Sequence, residues 1–165
     1  MQAIAAVDRK WGIGNQGKLL VHIPEDQRRF RTITQNKILI YGRKTLATFP
    51  RSQPLQGRRN IILSSQSDFL VPGAEVVHSK EELLSLVEGE EKDSLMVIGG
   101  AMVYRELLPQ IDRVFITRID YQYEADAYFP NLDEDLDWHI REEGEEKTYF
   151  DLPYTFVEYE RAGQE

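Results

Sequence analysis

The sequence predicts an α/β fold, a three-layer α/β/α sandwich around an eight-stranded, mixed and mostly parallel sheet. Short β-rich runs alternate with helical segments over most of the chain, which favours parallel strands joined by helices. The runs at residues 37 to 41 and 94 to 99 are almost continuously apolar, as central strands covered on both faces are. The last two runs alternate apolar with polar residues, which is typical of half-solvated antiparallel strands.

Each strand is assigned to a run bounded by turn-forming or polar residues. The eight runs are residues 2 to 7, 37 to 41, 60 to 64, 74 to 77, 94 to 99, 113 to 119, 137 to 142 and 154 to 160. Helices are predicted between them at residues 24 to 34, 44 to 49, 80 to 88 and 101 to 108. Pro24 suits the first position of a helix, and Ser79 is a candidate N-cap because its hydroxyl can accept from a backbone N–H of the next turn.

Composition limits the class of protein. The 165 residues contain no cysteine and three scattered histidines, His22, His78 and His139, so we expect no disulfide, no thiolate nucleophile and no zinc site. No apolar run approaches the ~20 residues that span a bilayer, and repeats and linkers are absent. We therefore expect one cytoplasmic domain over residues 1 to 165, which needs a diffusible cofactor for any redox chemistry.

Charge is segregated along the chain, although the net charge is −8. Residues 27 to 67 contain no acid but hold nine of the 20 lysines and arginines. A net acidic protein is a poor general binder of nucleic acid, whereas one cationic third suits small anions. A basic face that serves only solubility is an equal alternative.

Two glycine motifs predict different things. GIGNQG at residues 12 to 17 matches the dinucleotide fingerprint G-x-G-x-x-G, but no helix is predicted after it and the stretch about 20 residues on is basic, so we reject a Rossmann site. We interpret this long glycine-rich loop before Pro24 as a lid. Gly99-Gly100 instead joins a buried strand to a helix, where backbone N–H groups can meet a phosphate. Glycines that merely make a tight turn are the alternative.

A similar junction occurs at YGRKT, residues 41 to 45, where a glycine, two cations and a threonine follow an apolar run. Two strand-to-helix junctions, one flanked by Arg43 and Lys44, can hold a diphosphate and a further phosphate. The combination predicts a phosphorylated dinucleotide as ligand.

Asp26 lies in the first turn of the helix predicted after Pro24. Acids favour that position through the helix dipole by about 0.3–1 kcal/mol, which is the simplest explanation. However, Ile23, Phe30 and Ile33 recur at helical spacing with Asp26, so its carboxylate shares an apolar stripe that faces the core or a cleft. Burial there raises the pKa of a carboxyl group, and such a group can bind an amidine-like heterocycle and support its protonation.

These motifs, in this order, resemble the dihydrofolate reductase family over essentially the whole chain. The matching stretches are residues 13 to 17, IPED at 23 to 26, GRKT at 42 to 45, GRRNIILSS at 57 to 65, VIGGAMVY at 97 to 104, TRID at 117 to 120 and ADAYFP at 125 to 130. The resemblance implies NADPH-dependent reduction of 7,8-dihydrofolate to tetrahydrofolate, by hydride transfer to pterin C6 with protonation at N5.

The resemblance also implies roles for individual residues. Asp26 matches the catalytic acid that binds the pterin 2-amino group and N3, and Arg58 matches the residue that grips the α-carboxylate of the glutamate tail. The other implied substrate-binding residues are Ile4, Ala5, Ala6, Leu19, Gln27, Phe30, Phe49, Leu55, Ile98, Tyr104 and Thr117. The implied cofactor-binding residues are Ala6, Ile13, Gly14, Gly17, Leu19, Gly42, Arg43, Lys44, Thr45, Leu63, Ser64, Ser65, Ile98, Gly99, Gly100, Ala101, Met102, Val103, Tyr104 and Asp126.

The chain departs from the family pattern in places. Val21 stands where a tryptophan that helps order a water near the pterin is usual, and Gln27 replaces the usual leucine and is expected to face the benzoyl region. Ala125 and Ala127 flank Asp126 where Gly-Asp-Thr is usual, in the segment whose hydrogen bonds steady the lid. We expect unusual antifolate sensitivity or lid kinetics, with the chemistry retained.

Two other functions fit the same pattern. A riboflavin-pathway reductase of the same fold also uses NADPH on a pyrimidine-like ring, although Arg58 and Asp26 favour folate. A non-catalytic NADPH-binding module would bind the cofactor without reducing dihydrofolate. The expected partners of the reductase are dihydrofolate and antifolate inhibitors, not nucleic acid or membrane, and we expect a monomer because no large apolar helix face is predicted to be exposed.

Overall fold

The structure, a computed structural model, describes residues 1 to 163. Within that range the strands are β1 (Gln2–Val7), β2 (Gly12–Asn15), β3 (Lys18–Leu19), β4 (Ile38–Gly42), β5 (Arg59–Leu63), β6 (Glu75–Val77), β7 (Leu95–Gly99), β8 (Arg113–Ile119), β9 (Ala127–Tyr128), β10 (Trp138–Glu143), β11 (Lys147–Tyr149) and β12 (Leu152–Arg161). The α-helices are α1 (Pro24–Thr34), α2 (Arg43–Leu46), α3 (Lys80–Leu86) and α4 (Ala101–Leu107).

The main sheet has eight strands in the order β10-β12-β8-β1-β7-β4-β5-β6, and β11 pairs with β12 beside this path. The six strands from β8 to β6 in that order run parallel to one another. β12 pairs antiparallel with both β8 and β10. The predicted mixed, mostly parallel sheet is therefore confirmed.

Apolar side chains cover both faces of this sheet. On one face Leu83 of α3 and Leu107 of α4 belong to the larger buried cluster. On the other face Phe30 of α1 and Leu46 of α2 pack with strand residues. Strand β4 contributes to both clusters, with Ile38 and Ile40 on one side and Leu39 and Tyr41 on the other. This two-sided burial is the physical reason for its continuous apolar run.

Local rules explain where the helices begin and end. Pro24 is in the first turn of α1, and the side chain of Ser79 accepts from the backbone N–H of Glu82 at 3.0 Å, as predicted. Helix α2 is shorter than predicted and ends at Leu46. The backbone N–H of Thr48 turns back to the carbonyl of Thr45 at 3.0 Å, and Pro50 has no N–H with which to continue the helix.

The glycine-rich segment before Pro24 forms a hairpin. Strands β2 and β3 pair antiparallel, and β9 pairs with the other side of β2. Gln16 and Gly17 form the turn with φ angles of 51° and 77°. No helix follows the GIGNQG motif directly, which agrees with the rejection of a Rossmann site. Strands this short have too little apolar alternation to be predicted, and the same is true of β11.

No helix within residues 1 to 163 is both long enough and apolar enough to cross a membrane.

Candidate active site

Asp26 lies between helix α1 and the sheet. Its carboxylate accepts a short hydrogen bond from the hydroxyl of Thr117 in β8, a side chain that is buried. Burial raises the pKa of Asp26 above its ordinary value, and this effect outweighs the Thr117 hydrogen bond and the charge of Arg29, which both lower the pKa. The stripe position of Asp26 therefore gives it a partly desolvated carboxyl group rather than a simple helix-start acid.

An apolar cluster includes Phe30, which follows Asp26 by one turn of α1. Ile4 of β1 is buried, and around it Phe30, Phe49, Leu55 and Ile98 are half-buried. These residues come from β1, α1, the connection between α2 and β5, and β7, and the fold brings all five of them into one cluster. Half-buried rings and aliphatic chains next to one carboxylate suit a flat heterocycle with a polar edge.

Arg58 is held at one end of this cluster by Asn60. The buried Asn60 amide donates to the carbonyls of Leu55 and Arg58 at 2.8 and 2.9 Å, and its oxygen accepts from the Tyr41 hydroxyl at 2.8 Å. The Nε atom of Arg58 is buried and has no hydrogen-bond partner in the part of the chain that the structure describes. Burial, and then the charge of Arg31, lowers the pKa of the Arg58 guanidinium. A buried donor without a partner is suited to an anionic ligand.

Glycines meet where β4 and β7 end and where α2 and α4 begin. Gly99 has a φ of 141°, and a Cβ atom there would lie 3.0 Å from the Thr45 hydroxyl oxygen. A Cβ atom on Gly42 would lie 3.1 Å from a methyl group of Val103. A side chain at either position would collide with the neighbouring helix start, so glycine lets the two strand ends and the two helix starts pack closely together. The two junctions predicted separately therefore form one site with Gly100 and Ala101.

The remaining predicted cofactor residues lie mainly along the same edge of the sheet. Arg43 and Lys44 are exposed at the start of α2, and Leu63, Ser64 and Ser65 follow or end β5, which pairs with β4. Met102 is 77% exposed. The side chain of Val103 packs in the core, so its predicted cofactor contact would have to come from its backbone.

His78 was not selected from the sequence, although it joins this edge. Its Nδ1 atom donates to the carbonyl of Ser64 at 2.9 Å. The sequence contains a signal for this position. His78 directly follows the predicted strand at residues 74 to 77, and that strand ends at the same edge of the sheet as Ser64.

Tyr104 and the alanines of β1 lie between the two regions. Tyr104 is buried, and its hydroxyl donates to the carbonyl of Ile4 at 2.7 Å, which joins α4 to β1. Ala5 and Ala6 follow Ile4 and are half-buried. Their small side chains leave space at the end of β1, between the Asp26 region and the glycine junction.

Asp126 is hydrogen-bonded to the β2–β3 hairpin. Its backbone N–H donates to the carbonyl of Gly14 at 3.0 Å, and its carboxylate accepts from the backbone N–H of Gln16 at 2.9 Å. The alanines on either side therefore do not prevent these bonds. Asp126 contacts the β2–β3 hairpin, which also contains Ile13 and, in its turn, Gly17, and its role at the cofactor stays a prediction. Leu19 at the end of the hairpin is 54% exposed and lies outside the apolar cluster.

Gln27 was expected to face the apolar cluster, but its side chain points away from it. Its side chain is exposed, and its amide nitrogen lies 2.8 Å from Nδ1 of His22. One residue along a helix turns the side chain by about 100°, so Gln27 lies on the flank of the stripe that Asp26 and Phe30 occupy. A substrate-binding role for Gln27 stays a prediction that requires its side chain to leave His22.

Comparisons with known proteins give a consistent result. Residues 1–161 match the family model described as Dihydrofolate reductase. The chain is 39% identical over 157 residues to the dihydrofolate reductase of Neisseria gonorrhoeae, covering 94% of each protein. It is 37% identical over 162 residues to that of Bacillus subtilis, covering 96% of this chain and 92% of the relative.

The solved structure of dihydrofolate reductase from Enterococcus faecalis complexed with NADP(H) and RAB-propyl is also similar. It shares 32% sequence identity and a TM-score of 0.85, and the match covers 98% of this chain and 95% of that one. On the family match and these relatives, the chain belongs to the dihydrofolate reductase family.

Proposed function

We propose that the protein catalyses the NADPH-dependent reduction of 7,8-dihydrofolate to 5,6,7,8-tetrahydrofolate. Family membership supports this activity. The observation that carries it is the Asp26 carboxylate, which is hydrogen-bonded to Thr117 and lies one helical turn before Phe30 of the apolar cluster around Ile4. A riboflavin-pathway pyrimidine reductase is the second candidate from the sequence, but the buried, unpartnered Nε of Arg58 favours a substrate with a carboxylate tail.

The substrate side of the site divides into three contacts. The two oxygens of the Asp26 carboxylate accept from the 2-amino group and N3 of the pterin, since these adjacent donors match a carboxylate. The half-buried faces of Phe30, Phe49 and Ile98 contact the ring and benzoyl group. Arg58 donates to the α-carboxylate of the glutamate, and this bond gives its buried Nε a partner.

Asp26 also handles the proton of the reaction. Because burial raises its pKa, this carboxyl group exchanges protons nearer to neutral pH than an exposed aspartate does. Its negative charge favours a protonated pterin, so it supports protonation at N5 from its place at the 2-amino and N3 edge. Asp26 thus acts by charge on the ring rather than as a nucleophile.

The residues of the glycine junction fit NADPH. Glycine at positions 42 and 99 lets two helix starts pack side by side, so that backbone N–H groups of both can face a diphosphate, and Arg43 and Lys44 lie at the same edge for the 2'-phosphate. When bound, NADPH supplies the hydride for pterin C6. The hairpin that Asp126 holds shields the reacting rings from water.

Mixing the protein with NADPH and dihydrofolate, and following the loss of the reduced-nicotinamide absorbance, tests this function. We expect turnover with dihydrofolate and none with the pyrimidine substrate of riboflavin-pathway reductases. NADPH binding without any turnover would identify a non-catalytic module. Turnover of the pyrimidine alone would identify the other reductase.

The proposal also covers the oligomeric state, the location and the domain content of the protein. We propose a cytoplasmic monomer in which residues 1 to 165 form one domain that binds small molecules only. The family match over residues 1–161 and relatives of similar length support a single domain. Sedimentation at micromolar concentration should give the mass of one 19.2 kDa chain, and a dimer mass would contradict the monomer.

A further inference from the structure

Arg29 occupies an unusual position for a charged residue. It follows Asp26 by one turn of α1, so the two side chains lie on neighbouring positions of the helix surface. Its guanidinium carbon lies 4.2 Å from the ring centroid of Phe156 and 6.0 Å from that of Phe115. Phe156 is paired across the sheet with Thr117, the hydrogen-bond donor to Asp26. Arg29 therefore covers the part of the sheet against which Asp26 packs.

The other charged groups near this pair are acids, members of ion pairs, or the exposed Arg28, whose charge acts on Glu25 and Tyr154. Glu142 and Glu158 face Arg29 from β10 and β12, and Glu158 is in an ion pair with Arg141 at 3.3 Å. On the other side of Asp26, Glu25 is in an ion pair with Lys147 at 3.1 Å and accepts from the Tyr154 hydroxyl at 2.6 Å. Arg29 is the cation whose charge lowers the pKa of Asp26, against the larger effect of burial.

The side chain of Arg29 also lines a small cavity. The cavity has a volume of about 180 Å³ and is lined by Arg29, Glu142, Gly144, Phe156 and Glu158. Both glutamates on this wall carry charge opposite to that of the guanidinium. The acids around Arg29 therefore oppose the effect of burial on its pKa.

We propose that Arg29 is a positioning residue for the reaction: its guanidinium, seated on the ring of Phe156, keeps the neighbouring Asp26 carboxylate ionised so that it can bind the pterin. An opposite charge one helical turn away favours the charged form of a carboxyl group, and desolvation strengthens the attraction. The inference rests on the proposed function, because it assigns Arg29 to the same carboxylate.

A structural role makes a different prediction. If Arg29 only packs on Phe156, its replacement loosens α1 and lowers turnover at every pH, without changing the protonation of Asp26. If its charge acts on Asp26, a neutral replacement moves the titration of that carboxyl group upward, and lysine restores it.

The experiment follows the carboxyl carbon of Asp26 by NMR in protein labelled with ¹³C at aspartate, with Asp26→Asn to assign the signal. We expect Arg29→Gln and Arg29→Met to shift the titration midpoint to higher pH, and Arg29→Lys to return it toward the wild-type value. Arg28→Gln is the matched control. Arg28 is exposed on the same helix, and its replacement by glutamine removes the same charge. It should leave the midpoint unchanged.

The pH dependence of kcat/KM for dihydrofolate provides the second readout, since its apparent pKa reports groups of the free enzyme. It should move in the same direction as the NMR midpoint. An unchanged midpoint in both neutral variants, or an equal shift in Arg29→Lys or Arg28→Gln, would overturn the proposal. Because the NMR titration needs no substrate, failure of wild-type turnover would count against the proposed function and not against this electrostatic link.

Discussion

The two sides of the cleft recognise their ligands by different means. The substrate side consists of side chains, with one half-buried carboxyl group at Asp26, an apolar cluster and the unpartnered Nε of Arg58. The cofactor side consists mainly of backbone, at Gly42, Gly99 and Gly100, with exposed cations at its edge. The substrate side therefore has few polar groups, which are partly or fully buried. The cofactor side has many backbone polar groups and exposed charged side chains.

This difference determines how each side should respond to mutation. A buried polar group that loses its partner costs the full free energy of its desolvation. An exposed charge contributes less, because water and salt screen it. On the cofactor side the sensitive positions are therefore glycines, where an added Cβ atom has no space. Matched substitutions on the two sides test this contrast.

Arg58→Gln should have the largest effect among these contrasts. A hydrogen bond to a charged group contributes about 1.5–3 kcal/mol, so the KM for dihydrofolate should rise roughly 10- to 100-fold with kcat little changed. Steady-state kinetics with 7,8-dihydropteroate, which lacks the glutamate, provides the control. Wild type and variant should have similar KM values for it, and an equal loss on both substrates would place Arg58 away from the tail.

Gly99→Ala should come next. Its φ of 141° and the 3.0 Å approach of a Cβ atom to Thr45 imply strain of about 1–3 kcal/mol and a weaker cofactor site. We expect about tenfold weaker NADPH binding, measured by fluorescence titration. Gly89→Ala is the control, since Gly89 has a φ of 89° but open space around it. If both variants bind NADPH normally, the junction is not the cofactor site.

Arg43→Gln should have a smaller effect than Arg58→Gln, although each removes one arginine charge. Arg43 is exposed, and exposed ionic contacts contribute about 0.2–1 kcal/mol, so NADPH affinity should fall by up to about fivefold. NADH affinity should not change, because NADH lacks the 2'-phosphate. Arg105→Gln on α4 is the exposed control. A larger loss for Arg43 than for Arg58 would contradict the contrast between hydrated and buried charge.

Asp26→Asn should slightly stabilise the protein at neutral pH. The pKa of Asp26 is raised in the folded state, so the folded protein binds the proton more tightly than the unfolded chain. Stability from this group is therefore fully present below the unfolded pKa and is lost as pH rises through the folded pKa. Thermal unfolding should show a higher Tm for the variant at pH 7, and the difference should disappear at acidic pH. A lower Tm at pH 7 would contradict a desolvated carboxylate.

The main elements of the fold were predictable because strong local signals agree with the tertiary structure. Pro24 begins α1, Ser79 caps α3, and the apolar runs of β4 and β7 are central strands. The hairpin of β2 and β3 was not predictable, since strands of two to four residues gain their stability from pairing with β9 and from Asp126. The early end of α2 depends on a local backbone turn at Thr48.

The site was partly predictable for the same reason. Helical spacing placed Asp26 on the buried stripe, and strand-end glycines indicated the phosphate junction. Spacing could not show that Gln27 turns to His22, or that the cation of Arg29 lies on Phe156, because both depend on contacts outside the local pattern. The three arginines after Asp26 look alike in sequence, and only the fold separates the half-buried Arg29 from the exposed Arg28 and Arg31.

The most direct test of the role of Asp26 is the turnover of dihydrofolate by Asp26→Asn across pH. Asparagine can still accept from Thr117 but carries no charge to favour a protonated pterin. Because positioned proton transfer contributes about 10²- to 10⁴-fold, activity at pH 7 should fall by that order. It should recover in part toward pH 5, where the substrate binds already protonated. Wild-type activity of this variant at pH 7, or a loss that is the same at every pH, would contradict the assignment of Asp26 as the proton-handling residue.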